Sequence, residues 1–239
     1  YRLWLAQREG DDGCALAADR LFDAGKLSAA QMWRKARIAT DSGRSRSAKQ
    51  ALEIVQPASV REWAQLWAQP SKWLGHHASN PRAASSEMAV LALLRWVSME
   101  PEQASRVLRT VWQPVLSAEQ RDWVWGALGR QAAMRLDDDA VGFFDKVSQP
   151  AHLSDDMLSW WVRAALRAER VPQWKKVDEA IRAMSPAHRQ DPTWVYWLAR
   201  AHKALHPPQH PQHQAALKAL ESIAGIQQTV GRQGAAVVA

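Results

Sequence analysis

Four histidines close to the C-terminus are the first side chains in this sequence that could do chemistry. Imidazole nitrogens bind transition metals and exchange protons near neutral pH, so a metal site has to be considered. Metal ligands are usually held on rigid elements, whereas three prolines interrupt this stretch and neither a cysteine nor a His-Glu-x-x-His motif is near. We therefore predict a mobile surface loop and no metal ligand. The histidines are His202, His206, His210 and His213.

Three successive aspartates, Asp137 to Asp139, could supply paired carboxylates for acid–base catalysis. They stand where the pattern places the start of a helix, and carboxylates at that end offset the helix dipole. We therefore interpret them as residues that stabilise a helix start. The sequence contains no glycine-rich phosphate loop, Gly-x-Ser-x-Gly or Cys-x-x-Cys motif. It accordingly predicts no catalytic residue and no cofactor.

Tryptophan is unusually frequent, with 14 residues against 3 Phe and 2 Tyr. Trp125, Trp161 and Trp197 stand 36 residues apart (161 − 125 and 197 − 161). A fixed period in this range is typical of a helical solenoid, in which repeats bury their apolar faces against one another. Tryptophan rings could also stack on sugars, but recurrence at one position of a repeat indicates core packing. Pro114, Pro150 and Pro186 keep the same step.

The elements that must position these residues are helices. Apolar spacing and turn residues predict about twelve helices and no strand, which is an all-α fold. We expect an α-solenoid of helical hairpins, curved into a horseshoe or partial ring. Capping boxes mark helix starts at Ser28 and Ser117, and the most apolar helix, 87–99, is expected to be central. The predicted organisation is one superhelical domain over 1–224, a bend or link near 75–86, and a poorly structured tail over 225–239.

The charge of the chain limits the classes of binding partner. The chain carries 31 Lys and Arg against 24 Asp and Glu, and its net charge of +7 favours polyanionic partners. Nucleic acid, anionic membrane surfaces and the acidic stem peptides of bacterial cell wall all qualify. The basic residues are scattered, which argues against nucleic acid, and no apolar run approaches the ~18 residues needed to span a membrane.

The single Cys14 cannot form an internal disulfide and is expected to be a buried, inert thiol.

The segment Trp194-Val-Tyr-Trp-Leu-Ala-Arg-Ala-His-Lys-Ala-Leu205 carries a resemblance to a known family. It resembles the Trp-x-Tyr-Trp-x-Ala-Arg-Ala-x-x-x-Leu segment of soluble lytic murein transglycosylases, which lies in their large N-terminal helical region. Two further stretches are similar to that family in the same way: residues 162–174 with 181–186, and residues 14–26 with 39–43. The resemblance spans about residues 1–224 and is sharpest in the first segment.

The resemblance implies a periplasmic enzyme that cleaves peptidoglycan glycan strands between N-acetylmuramic acid and N-acetylglucosamine and leaves a 1,6-anhydro end. In that family a separate lysozyme-like domain at the C-terminus carries the catalytic Glu, marked as Glu-Ser with a downstream Gly-Leu-Met-Gln. Here Glu221-Ser222 falls within a predicted helix and lacks the second motif. We therefore expect a non-catalytic superhelical region that positions murein for a catalytic domain outside this sequence. Tyr1–Trp4 resembles a helix interior, which favours a fragment or a processed chain.

The implied partners are peptidoglycan glycan strands and the C-terminal lysozyme-like domain of the same polypeptide. Arg163 and Arg200 lie on Trp helices near the turn of the repeat and are the candidate substrate-binding residues. The alternative is a stand-alone tetratricopeptide-like scaffold for a protein or peptide. Its period of about 34 residues is close, although its Leu-Gly and Tyr positions are not matched. Nucleic-acid binding rests on net charge alone, and we predict neither a nucleic-acid partner nor a membrane span.

Overall fold

The computed structural model describes residues 4, 5, 7, 9–168 and 172–236, with side chains as far as residue 223. Within these residues the chain forms 14 α-helices and no strand, which confirms the predicted all-α class. None of the described helices has the length and apolar character needed to cross a membrane. The chain divides into two compact units, Tyr1–Gln131 and Ala132–Ala239.

The first unit holds helices α1 to α7 and most of α8. Short 3₁₀ turns lie at Pro57–Glu62 and Pro81–Ala83, and a π-helical turn lies at Leu108–Trp112. The expected bend near 75–86 falls inside this unit. The helices are α1 Asp12–Asp23, α2 Ala29–Asp41, α3 Ser45–Val55, α4 Trp63–Ala68, α5 Pro70–His77, α6 Ser86–Val97, α7 Pro101–Val107 and α8 Ala118–Met134.

The second unit holds six further helices and a 3₁₀ turn at Pro150–His152. Its last helix continues to Ala236 and therefore includes most of the stretch that was predicted to be a poorly structured tail. The predicted domain limit at 224 and the curvature of the solenoid stay predictions. The helices are α9 Ala140–Phe144, α10 Asp155–Arg167, α11 Trp174–Ala183, α12 Pro186–Arg189, α13 Pro192–Leu205 and α14 Pro211–Ala236.

Local sequence sets several helix limits in the predicted way. The Ser28 hydroxyl accepts the N–H of Gln31 at 3.3 Å, and the Gln31 side chain accepts the N–H of Ser28 at 2.8 Å. Ser117 and Gln120 form the same reciprocal pair at 3.2 and 2.9 Å. Both capping boxes are thus confirmed. Gly25 follows α1 with a φ of +66°, a left-handed conformation that glycine adopts without steric cost.

Helix α6 is the apolar centre of the first unit, as its composition predicts. Nine of its 12 residues are buried, and it packs against α2, α5 and α7. A buried arginine of α2 lies beside the N-terminus of α6. The guanidinium of Arg37, only 4% exposed, pairs with Glu87 at 2.6 Å and with Glu119 at 2.8 Å. This network ties α2 to the first turns of α6 and α8.

A second buried cation lies two residues earlier on α2. Lys35 is 2% exposed, and its ammonium group donates hydrogen bonds to the carbonyl oxygens of Trp4 at 2.6 Å and Gln7 at 2.8 Å. Burial, with a smaller contribution from the charge of Arg44, lowers the pKa of Lys35 to about 8. The lysine therefore holds the N-terminal segment against α2 through main-chain oxygens rather than through a carboxylate.

The repeated tryptophans are core residues at two of their three positions. Trp161 is 2% exposed and stacks on Phe144 with ring centroids 5.1 Å apart, and Trp125 is 4% exposed. The core prediction is wrong for Trp197, which is partly exposed. In this last repeat Trp194 is buried instead, at 5% exposure. The reason is the orientation of α13, which turns Trp194 toward α10 and α12.

The prediction of a buried thiol is also wrong, because Cys14 is exposed. It lies in the first turn of α1, where its N–H donates to the Asp11 carboxylate at 2.8 Å. Ala18 is the buried residue of α1, so the first turn of this helix faces solvent.

Candidate functional site

An open pocket of about 520 Å³ lies in the second unit, between α11, α13 and α14. Two aromatic rings, two cationic side chains and two apolar residues surround it. Within the part of the chain that the structure describes, its lining includes no carboxylate. The lining residues are Trp174, Tyr196, Arg200, Lys203, Ala204 and Leu220.

The spacing along α13 explains why its polar residues reach the same pocket. Tyr196, Arg200 and Lys203 follow one another at steps of four and three, which places them on one face of a helix. The start of this helix is fixed by its N-cap: the Asp191 carboxylate accepts the N–H of Thr193 at 2.8 Å. That hydrogen bond lowers the pKa of Asp191, so the cap stays ionised and complements the helix dipole.

The two cations of the pocket lack carboxylate partners among the described side chains. Arg200 is exposed, and its Nη1 donates a hydrogen bond to the Tyr196 hydroxyl at 3.1 Å. Its guanidinium also lies 5.9 Å from the centroid of the Tyr196 ring. Lys203 is exposed as well. The pocket therefore presents positive charge beside the partly exposed rings of Trp174 and Tyr196, an arrangement suited to an anionic ligand with a flat or apolar body.

Arg163, the other arginine predicted to bind substrate, lies outside this pocket. It is exposed on α10, and its guanidinium lies 4.9 Å from the Trp160 ring centroid and 5.4 Å from that of Trp194. Its contacts are thus cation–π contacts with two indoles. The structure does not bring Arg163 and Arg200 into one site, and a substrate-binding role for either stays a prediction.

Three of the four histidine rings form a column, and the loop prediction is wrong for His202 and His213, which lie in helices. The ring of His206 stacks on that of His210 at 4.2 Å and lies 5.9 Å from that of His202. His202 belongs to α13 and contacts the Asp178 carboxylate of α11 at 2.8 Å. His213, in the first turn of α14, is only 8% exposed and contacts the His206 carbonyl oxygen at 2.9 Å.

The column is a packing feature that joins α11, α13 and the turn before α14. Desolvation, followed by the charges of His210 and His202, lowers the pKa of His206. Among the residues that the structure describes, no group of three His, Cys, Asp or Glu side chains is arranged to hold a metal ion.

The three aspartates lie at the turn before α9, where the sequence pattern places a helix start. The Asp137 carboxylate accepts the N–H of Asp139 at 2.9 Å, and the Asp137 carbonyl oxygen accepts a hydrogen bond from Arg167 at 3.1 Å. A smaller pocket of about 360 Å³ adjoins this turn. Since the first carboxylate shapes the backbone of the turn, its contacts fit the structural interpretation better than acid–base chemistry.

Sequence reasoning found one residue of the larger pocket, Arg200, and missed its neighbours. The signal for Tyr196 and Lys203 was present in their helical spacing from Arg200. Trp174 and Leu220 come from other helices, and the sequence pattern contains nothing that pairs them with α13.

Comparison with protein-family models gave no match, and comparison with curated proteins gave none. Among solved structures, the chain is similar to the crystal structure of an inactive mutant of the lytic transglycosylase Slt from Pseudomonas aeruginosa. The TM-score is 0.48 and the sequence identity 18%, over 91% of this chain and 35% of that chain. The chain thus spans about a third of the length of that protein. A likeness of this degree establishes neither a family nor an activity.

Proposed function

We propose that this chain is a non-catalytic helical region that binds peptidoglycan and positions its strands for a catalytic, lysozyme-like domain of the same polypeptide. The observation that carries the proposal is the open pocket on α13. Tyr196 and Arg200 belong to the segment that resembles the lytic murein transglycosylases, and both line this pocket, together with Lys203. In that segment, therefore, a shared tyrosine and a shared arginine are available to a ligand.

The chemistry of the polymer suits this surface. Peptidoglycan combines sugar rings, whose apolar faces stack on aromatic side chains, with peptide stems that bear carboxylates. A net charge of +7 attracts such a polymer over a distance of about the Debye length, so binding should weaken as salt rises. A function on peptidoglycan also implies a location in the periplasm.

Catalysis is assigned to a domain outside this chain. Glu221 and Ser222, which match the first part of the family's catalytic motif, lie inside α14. We give this pair no catalytic role. The proposal therefore requires binding without strand cleavage by this chain.

Pelleting with purified peptidoglycan sacculi tests the proposal. The chain should sediment with sacculi at low salt, lose binding as sodium chloride is raised, and release no anhydro-muropeptides. Arg200→Ala combined with Lys203→Ala should lower the apparent affinity for sacculi about tenfold, since two charged contacts are removed. Arg61→Ala with Lys72→Ala is the matched control, because both side chains are exposed in the first unit and the loss of charge is the same.

Sedimentation no greater than that of an unrelated basic protein would overturn the proposal. In that case the tetratricopeptide-like scaffold, which binds a protein or peptide partner, would become the better hypothesis. Release of anhydro-muropeptides above the buffer level would show instead that the catalytic assignment is wrong.

A further inference from the structure

We infer that the pocket between α11, α13 and α14 recognises the peptide-substituted units of peptidoglycan through a stem-peptide carboxylate, and does not bind the bare glycan. This inference rests on the proposed function and names the part of the polymer that the pocket selects. Its basis is the combination of cations, aromatic rings and size at this one place in the fold.

The first argument is charge. Arg200 and Lys203 are one helical turn apart on α13, and no carboxylate of the described residues lines the pocket with them. Two neighbouring cations without an anion repel each other, and a bound carboxylate would relieve this repulsion. Arginine binds a carboxylate through two parallel hydrogen bonds, whereas a neutral sugar chain offers neither the charge nor this geometry.

The second argument is preorganisation. The Tyr196 hydroxyl accepts a hydrogen bond from Nη1 of Arg200 at 3.1 Å, four residues away on the same helix. This contact restrains a long side chain that would otherwise lose rotamer freedom on binding. The other guanidinium nitrogens make no hydrogen bond to any described residue, so they remain available for a ligand oxygen.

The third argument is shape. A volume of about 520 Å³ lies within the range of sites for small ligands, so it admits a few ligand groups but no folded segment. Trp174 begins α11 on one side, and Leu220 of α14 supplies an apolar surface on another. A sugar ring or an alanine methyl group can pack against these residues while a nearby carboxylate reaches Arg200.

Calorimetric titration of the full chain with three defined probes tests the inference. The probes are a disaccharide tetrapeptide from peptidoglycan, the same molecule with its carboxylates converted to amides, and the neutral sugar N,N′-diacetylchitobiose. We expect saturable binding of the first, at least tenfold weaker binding of the second, and no measurable binding of the third.

Substitutions assign the effect to the pocket. Arg200→Gln and Lys203→Gln should each remove most of the preference for the carboxylate over the amide. Arg200→Lys, which keeps the charge but not the two parallel hydrogen bonds, should keep only part of it. The control pair Arg61→Gln and Lys72→Gln should leave the preference unchanged.

Two results separate this inference from the function on which it rests. If the wild-type chain sediments with sacculi but the amidated probe binds as well as the carboxylate probe, the pocket assignment is wrong and the proposed function stands. If the chain does not sediment with sacculi, the proposed function fails, and the assignment of this ligand fails with it.

Discussion

Two pairs of cations, one pair in each unit of the molecule, are placed in opposite ways. In the first unit, Arg37 and Lys35 are buried on α2 and are bound by oxygens of the protein itself. In the second unit, Arg200 and Lys203 are exposed on α13 and line an open pocket. Burying a cation carries a desolvation cost that close partners must offset. These two buried cations therefore join α2 to the segments that supply their partners. Exposed cations without an anionic partner are free to serve a ligand.

Each unit also has its own buried centre. Helix α6 is the apolar centre of the first unit, and the stack of Trp161 on Phe144 lies in the core of the second. If buried groups hold the fold and the exposed cations serve a ligand, truncating the stack and removing the buried charge should both destabilise the protein, while changes at the pocket should alter binding alone.

The largest effect is expected at Trp161. Replacing it by Ala removes a buried ring and leaves a cavity, so the free energy of unfolding should fall by about 3–5 kcal/mol. Trp197→Ala, at the equivalent position of the next repeat, should cost only about 1 kcal/mol, because this ring is partly exposed. Urea unfolding followed by circular dichroism measures both values.

Trp161→Phe is the control for this prediction. It keeps a ring against Phe144 and removes an indole N–H that has no hydrogen-bond partner among the described residues. It should therefore cost less than the Ala variant. Equal losses for Trp161→Ala and Trp197→Ala would mean that the two repeats pack alike, contrary to the structure.

The next effect is expected at Arg37. Arg37→Met leaves the half-buried carboxylates of Glu87 and Glu119 without their cation, which should cost about 2–3 kcal/mol of the free energy of unfolding. Arg200→Met should change it by no more than about 0.5 kcal/mol, since this side chain is exposed. Adding Glu87→Gln to Arg37→Met should recover part of the loss. A neutral result for Arg37→Met would remove the contrast between the two units.

Much of the fold could be predicted because its signals are local. The capping boxes at Ser28 and Ser117, the glycine after α1 and the apolar run of α6 each depend on a few neighbouring residues. What sequence could not supply was the rotation of a helix about its own axis. Trp194 and Trp197 both lie on α13, and only packing against α10 and α12 decides which of them is buried. The exposed thiol of Cys14 was missed for the same reason.

The candidate site shows the same limit. Arg200 could be singled out from the family-like segment, and its helical neighbours follow from spacing. The aromatic wall at Trp174 and the apolar contact at Leu220 belong to two other helices, so their position depends on tertiary packing. The ring contacts of the histidine column could not be predicted, because the prolines indicate only a turn, and tertiary packing stacks His206 on His210.

The smallest effect is expected from pH at Lys35. Its folded-state pKa of about 8 lies below the usual value of 10.5, so between these values the unfolded chain binds more protons than the folded one. The free energy of unfolding should therefore rise with pH across this window, by about 1–2 kcal/mol between pH 7.5 and pH 9.5. Below pH 8 both states carry the proton, and the full cost of the buried charge is present.

Urea unfolding at pH 7.5 and at pH 9.5, compared between wild type and Lys35→Met, measures this contribution. The upward change with pH should be present in the wild type and reduced in the variant, which cannot titrate at this position. Lys203→Met serves as the matched control, because an exposed lysine of the second unit should leave the change intact. An identical pH dependence in wild type and Lys35→Met would show that this ammonium group is not held in a dry site. The contrast between the two units would then rest on Arg37 alone.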